Sequence, residues 1–134
     1  MGDIREFNVT FEHDGITANN MRLTRVDHNL YSVEETVLVD CVSYKDIMEA
    51  DLQPDGSLIF RRVVKKSEMQ TDTFVLPKEV IDSEGFTSFL DRVIEAEGHW
   101  EILFGGWVLI HLPSGCKLDP GQEIEDIGSK QIRA

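Results

Sequence analysis

Histidine, cysteine and carboxylate side chains can do acid–base, nucleophilic or metal chemistry, and their spacing decides whether they can act together. The chain has 134 residues, with four histidines and two cysteines. His13 and His28 each adjoin an aspartate, but neighbours on an extended strand point to opposite faces, so neither pair forms a dyad. No Cys-x-x-Cys, His-x-His or His-Glu-x-x-His spacing is present. The spacing therefore predicts no metal site.

Neither cysteine has a base placed to activate it. Cys41 lies in the apolar run from Thr36 to Val42, where a thiol behaves as a small hydrophobic group. Cys116 lies in a Ser-Gly-Cys-Lys turn, and the neighbouring lysine makes it the more reactive of the two. The sequence contains no Gly-x-Ser-x-Gly elbow and no phosphate-binding glycine loop before a helix. We therefore expect no catalytic residue, no cofactor and no enzymatic activity.

Acidic residues are concentrated in one short segment and comprise Asp46, Glu49, Asp51 and Asp55. A calcium-binding loop starting at Asp51 would need an acidic or amide ligand pattern ending in glutamate at its twelfth position, which is Arg62. That departure excludes a calcium loop. Two interpretations remain, a solvated strand face and a docking surface for a cationic partner.

The chain is strongly acidic, with 25 Asp and Glu against 13 Lys and Arg and a formal net charge of −12. Such a field repels nucleic acid and anionic membranes and speeds encounter with a basic protein, although it can also serve solubility alone. The one basic cluster comprises Arg61, Arg62, Lys65 and Lys66. Nucleic-acid contact through this cluster is a third hypothesis, which the surrounding acid and the opposite faces of its two arginines disfavour. We therefore expect no nucleic-acid partner, and the acidic field also predicts no membrane partner.

The sequence pattern predicts strands over most of the chain. Alternation places Phe7, Val9 and Phe11 on one face of a strand from Ile4 to Phe11. Further strands are predicted over Met21–Val26, Leu30–Val33, Thr36–Val42, Asp46–Leu52, Ser57–Val64 and Thr71–Leu76.

One helix is predicted over residues 83–97. Ser83 can cap it, Gly98 is expected at its left-handed C′ position, and an apolar stripe covers one face. The stripe comprises Phe86, Phe89, Leu90, Val93 and Ile94. A hairpin over residues 99–112 follows, with Gly105-Gly106 as a two-residue turn.

The register of this hairpin places its aromatic and histidine side chains. Counting outward from the two glycines, Trp100 and Trp107 line one side, whereas His99 and His111 are diagonal neighbours on opposite faces. The tryptophans either pack on the helix or form an exposed binding cluster. Residues 114–134 form a polar tail that is either loosely ordered or carries a short strand from Glu123 to Ile127.

Two segments resemble a known bacterial family. In the first, the shared positions are Val42, Ser43, Tyr44, Asp46, Ile47, Glu49 and Ala50, then Leu58 and the run Phe60 to Val64. In the second, Phe89 to Glu101 (FLDRVIEAEGHWE) is similar to a helix ending in Glu-x-Glu-Gly-x-Trp. They resemble the family catalogued as domain of unknown function 4265, which carries glycine at the position of Lys45. The resemblance implies a small α+β bacterial protein and no particular activity.

These observations predict one α+β domain over residues 1–113, followed by the tail at 114–134. Its mainly antiparallel sheet has about six or seven strands, curled into a partial barrel against one main helix. The sequence shows no secretory signal and no membrane-spanning stretch, so we expect a cytoplasmic protein.

The leading hypothesis is a non-enzymatic binding module, such as an immunity protein or antitoxin, that neutralises a basic protein partner. Its expected partner-binding residues are Asp46, Glu49, Asp51, Asp55, Trp100 and Trp107. The alternative is a small enzyme or ligand-binding protein with a pocket at the open end of the barrel. For that pocket, the candidates are Cys116, His28 and Tyr31.

Overall fold

The chain divides into two compact units, Met1–Glu68 and Met69–Ala134. The computed structural model describes residues 2–37, 39 and 41–132. Within those residues it contains eight strands and three helices, so the predicted mixed α+β class is confirmed. The prediction of one domain over residues 1–113 stays a prediction; residues after 113 belong to the second compact unit.

The first unit is a closed barrel of five strands. The strands are β1 (Ile4–Phe11), β2 (Ile16–Asp27), β3 (Leu30–Val33), β4 (Ile47–Leu52) and β5 (Leu58–Lys65). Each strand pairs antiparallel with the next, and β1 closes the barrel through a parallel pairing with β5. Because direction reverses at every antiparallel step, the first and fifth strands run the same way. The predicted partial barrel of six or seven strands is thus a five-stranded closed barrel and a separate sheet.

Alternating apolar residues fill the barrel, as the pattern of β1 predicts. Val9 and Phe11 are fully buried, and Phe7 is half-buried on the same face. Their neighbours from the other strands are Met21, Leu23, Tyr31, Val33, Met48, Ala50 and Leu58. Since successive side chains of a strand point to opposite faces, these residues define the inner face of the barrel.

The link between β3 and β4 closes one end of the barrel. We predicted a strand over Thr36–Val42, but the described residues of that run are not in a strand, and Leu38 and Asp40 lie outside the described residues. Val39 and Val42 are buried in the barrel core instead. The run is apolar because it fills the barrel end, and apolar character alone does not distinguish that role from a covered strand.

The second unit packs helices on a three-stranded sheet. Its strands are β6 (Met69–Val75), β7 (His99–Leu103) and β8 (Trp107–Pro113), in the order β6-β8-β7. Its helices are α1 (Lys78–Ile81), α2 (Glu84–Glu95) and α3 (Pro120–Ile132). The predicted main helix and terminal hairpin are therefore present. The core comprises Val80, Phe86, Phe89, Leu90, Val93, Val108, Ile110, Leu112, Ile124 and Ile127.

The ends of α2 combine a predicted cap with an unexpected one. Ser83 Oγ accepts a hydrogen bond from the Phe86 amide at 3.2 Å, as predicted for an N-cap. At the other end Glu97 takes the left-handed position with φ of 63°, so the placement of Gly98 there is wrong. Glycine is required at position 98 because an added Cβ would lie 2.5 Å from a backbone oxygen of β8. Ile94, predicted in the buried stripe, is 54% exposed.

The C-terminal region is helical. The strand considered for Glu123–Ile127 is wrong, because those residues lie within α3. Asp119 precedes the helix and its carboxylate accepts from the Gln122 amide at 3.2 Å, while Pro120 occupies the first helical position. An Asp-Pro start and an isoleucine pair three residues apart are both helix signals that the polarity of the tail obscured.

Candidate functional site

A cleft of about 740 Å³ opens at the barrel end opposite the β3–β4 link. This end contains the start of β1, the β2–β3 turn and the β4–β5 turn. The lining residues come from these three places, with Tyr31, Leu52 and Gly56 among them. The volume lies within the range of small-molecule sites.

Strand register places three polar residues of the cleft on the inner face of the barrel. Arg5 opposes the buried Leu23, and Arg25 opposes the buried Tyr31. Directly opposed residues in an antiparallel pair project to the same side of the sheet. Two guanidinium groups and one phenol therefore belong to three adjacent strands and to one face.

Tyr31 forms the floor of the cleft. It is fully buried, whereas the other lining residues are exposed except for the half-buried Phe7. The Phe7 ring contacts the Tyr31 ring edge-on, with centroids 5.5 Å apart. The Tyr31 hydroxyl is buried and has no hydrogen-bond partner among the residues that the structure describes. Buried polar groups nearly always have a partner, so this hydroxyl requires an explanation.

The sequence candidates for a barrel-end pocket are partly brought together. His28 and Tyr31 both line the cleft, and the His28 amide donates to the Asp27 carboxylate at 2.8 Å within the β2–β3 turn. Cys116 instead packs against the core of the second unit. Sequence reasoning missed Arg5 and Arg25. The available signal was that Arg5 is in phase with Phe7, Val9 and Phe11, so it continues the buried face to the end of the strand.

The four acidic residues predicted to bind a partner have different environments. Asp46 is fully buried, and Glu49 pairs with Arg62 at 2.8 Å. Asp51 pairs with Arg61 at 2.6 Å, and Asp55 accepts from the amide and hydroxyl of Ser57 at 2.9 and 2.6 Å. These hydrogen bonds hold the pKa of Asp55 below its ordinary value. Each acid therefore has a role inside the barrel unit.

The basic cluster is largely paired with those acids. The β4–β5 register shifts between Glu49 and Ala50, so the alternation of β5 slips by one residue near Arg61. Val63 consequently packs against the barrel core and Val64 is exposed. The two arginines pair with acids on the same outer face of β4, so the prediction that they point to opposite faces is wrong. Ion pairing with Asp51 raises the pKa of Arg61, with its hydrogen bond the larger cause. A phosphate ligand would have to compete with these partners.

The terminal hairpin is one residue out of the predicted register. Its loop includes Phe104, whose φ of 53° is left-handed, as well as Gly105-Gly106. A shift of one residue moves side chains to the other face. His99 and His111 are consequently directly opposed, with ring centroids 5.8 Å apart, and the prediction that they occupy opposite faces is wrong.

The same shift separates the two tryptophans. Trp100 opposes the core residue Ile110, whereas Trp107 lies three residues from Ile110 along β8 and therefore on the other face. Their exposed fractions are 36% and 37%. The single aromatic cluster expected for them is not formed, although Phe104 contacts Trp107 at a centroid distance of 5.9 Å.

A buried histidine links the three strands of the second sheet. His111 Nδ1 lies 2.7 Å from Thr71 Oγ1, and its Nε2 lies 2.7 Å from Glu101 Oε2. Hydroxyl, imidazole and carboxylate occur together in nucleophilic sites. Here both ring nitrogens are engaged by side chains of the flanking strands, which explains how a polar ring is accommodated at 1% exposure.

No group of three or more His, Cys, Asp or Glu side chains is arranged to hold a metal ion within residues 2–37, 39 and 41–132. In the same part of the chain, every helix is too short or too polar to cross a membrane.

Comparison with known proteins finds a solved structure with a similar fold. No protein-family model matches the chain, and no curated protein matches it. A crystal structure of a hypothetical protein from Neisseria gonorrhoeae is similar over 99% of this chain and 88% of that chain, with a TM-score of 0.51 and 16% sequence identity. This likeness supports the mixed α+β fold. The resemblance to the domain of unknown function 4265 stays a prediction.

Proposed function

We propose that the protein binds a small molecule in the cleft at the open end of the barrel. The observation that carries this proposal is the hydroxyl of the cleft residue Tyr31, which is buried and has no partner among the described residues. Leaving a hydroxyl buried and unsatisfied costs about 1–3 kcal/mol. A ligand that hydrogen-bonds to it would recover that free energy.

Packing alone does not explain the tyrosine. The edge-on contact with Phe7 involves the ring, and a phenylalanine at position 31 would preserve it. If the hydroxyl serves only the fold, its removal should destabilise the protein. If it serves a ligand, Tyr31→Phe should leave the free protein equally or more stable and should weaken binding.

The test is a titration of the full chain followed by backbone amide NMR signals. Three probes of similar size and different charge are used: benzamide, benzylamine and benzoate. At least one should shift the signals of the cleft residues in a saturable way, with a Kd on the order of 1 mM for about nine heavy atoms. Tyr31→Phe should raise that Kd severalfold without lowering the urea midpoint.

A second pair of variants controls for location. Leu52 is exposed at the cleft and Val64 is exposed elsewhere on the barrel, at 46% and 40%. Leu52→Trp should obstruct the cleft and abolish the shifts, whereas Val64→Trp should retain them. If no probe moves the cleft signals, or if Leu52→Trp binds like the parent protein, the proposal is wrong.

A basic protein partner is a second candidate function, favoured by the net charge of −12. The four acids first named for it have partners inside the barrel unit, so the charge of the whole surface carries this candidate. Immobilised protein should retain a basic partner at low salt and release it at moderate salt, because screening weakens exposed charge interactions. Retention that is unchanged by salt would argue against it.

A further inference from the structure

We infer that the ligand of the barrel cleft carries an anionic oxygen group, a carboxylate or a phosphate, that binds Arg5 and Arg25 and accepts from the Tyr31 hydroxyl. This inference rests on the proposed function and specifies its ligand class. Arginine is suited to such a ligand because its planar guanidinium donates two parallel hydrogen bonds to carboxylate or phosphate oxygens.

The register brings the three donors within reach of one ligand. Arg5 opposes Leu23 on β2, and Arg25 follows Leu23 by two residues on the same face. Such diagonal neighbours have Cα atoms about 7–8 Å apart, a separation that long side chains span. Arg25 is in turn directly opposite Tyr31 on β3. One anionic group can therefore contact both arginines and accept a hydrogen bond from the Tyr31 hydroxyl.

The two arginines are available to a ligand. Neither makes an ion pair with a residue that the structure describes, although acids outnumber bases by 25 to 13 in the chain. Arg61, Arg62 and Arg92 have carboxylate partners, whereas Arg22, which lies outside the cleft, also makes no ion pair with a described residue. The cleft therefore presents two guanidinium groups that have no carboxylate partner among the described residues.

Two acids also line the cleft and must be accounted for. The Asp27 carboxylate accepts from the His28 amide at 2.8 Å, so it serves the β2–β3 turn. Asp3 lies just before β1 and lines the cleft as a competing charge for an anionic ligand. Removing the Asp3 charge should therefore strengthen anion binding, whereas it would weaken binding of a cation.

The rest of the cleft fits an apolar body. Phe7, Val26 and Leu52 line it together with the polar groups. An anion attached to an aromatic or aliphatic group would use the arginines for its charge and these side chains for its body. Benzoate and phenyl phosphate have this combination and serve as the two anionic probes, while benzamide is the neutral isostere of benzoate.

The test compares matched probes and matched arginine variants by the same NMR titration. Benzoate or phenyl phosphate should bind at least about fivefold more tightly than benzamide. Arg5→Gln and Arg25→Gln should each raise the Kd of the anionic probe by about five- to tenfold and leave that of benzamide unchanged. Arg22→Gln is the control, because this substitution removes the same charge from the outer face of β2. It should change the Kd less than twofold.

The outcomes separate the inference from the proposed function. If benzamide or benzylamine occupies the cleft as tightly as the anions, or if Arg22→Gln acts like Arg5→Gln, the anionic ligand class is wrong and the cleft remains a binding site. If no probe binds in the cleft, both the anionic ligand class and the proposed function are wrong. Asp3→Asn should lower the anion Kd, and a higher Kd would contradict the inference. The tighter of the two anions identifies the group, carboxylate or phosphate.

Discussion

Asp46 provides the sharpest test of how the barrel is held together. Its side chain is 1% exposed. One carboxylate oxygen accepts from the Ser67 amide at 2.7 Å, and the other accepts from the Ser43 amide at 2.8 Å. Lys66 Nζ lies 3.5 Å from the second oxygen. The carboxylate thus ties the β3–β4 link to the segment that follows β5.

The perturbation is Asp46→Asn, which keeps the shape and removes the charge. An asparagine offers one carbonyl oxygen, so its NH₂ group must face one of the two amide donors. Each hydrogen bond to a charged group contributes about 1.5–3 kcal/mol, and a buried donor without a partner adds to the loss. Lys66 is 69% exposed and contributes little. We expect the free energy of unfolding to fall by about 2–4 kcal/mol.

The assay is urea denaturation followed by NMR signals of barrel amides, because both tryptophans lie in the second unit. The midpoint should fall by on the order of 1–2 M urea. Glu49→Gln is the matched control, since the Glu49–Arg62 pair is exposed and should contribute less than about 1 kcal/mol. An Asp46→Asn midpoint close to that of the parent protein, or an equal loss in Glu49→Gln, would refute this account.

Three further predictions concern stability. Burial would raise the pKa of Glu34, but hydrogen bonds, led by that from Lys45, hold it below 4.5. Glu34→Gln should therefore be less stable than the parent protein at pH 7, and urea titrations should show the difference disappearing as the pH falls below about 4.5. Gly98→Ala should lower the thermal midpoint by several degrees in calorimetry, whereas Gly128→Ala, with open space around its Cβ, should lower it little or raise it. Ser83→Ala should lose about 1 kcal/mol of unfolding free energy in urea, and an unchanged midpoint would contradict its capping role.

Local patterns predicted much of the fold because single strands and caps depend on near neighbours. The bounds of β1 and β3 are those predicted, and Ser83 caps α2 as expected. Register was less predictable, since a single left-handed Phe104 changes the loop length and exchanges the faces of the terminal hairpin. A phenylalanine rarely adopts that conformation, so the sequence gives no warning of it.

The candidate site was predictable to the extent that it lies on one strand. His28 and Tyr31 were among the candidates for a pocket at the open end of the barrel, and both line the cleft. Arg5 and Arg25 were missed because their convergence depends on pairing between strands. Asp46 was grouped with exposed acids because a buried carboxylate and a solvated one look alike in sequence. Only its amide donors, supplied by distant residues, distinguish them.

The two ends of the barrel differ in the length of the chain that crosses them, and this difference explains where the cleft lies. At one end the β3–β4 link places Val39 and Val42 in the core, and Asp46 fastens it. At the other end a short β2–β3 turn supplies too few residues to cover the interior, so Tyr31 is the last buried layer there. The residues that stabilise the barrel should therefore differ from those that bind a ligand. Asp46→Asn should lower the urea midpoint and preserve probe binding under native conditions. Tyr31→Phe should weaken probe binding without lowering the urea midpoint.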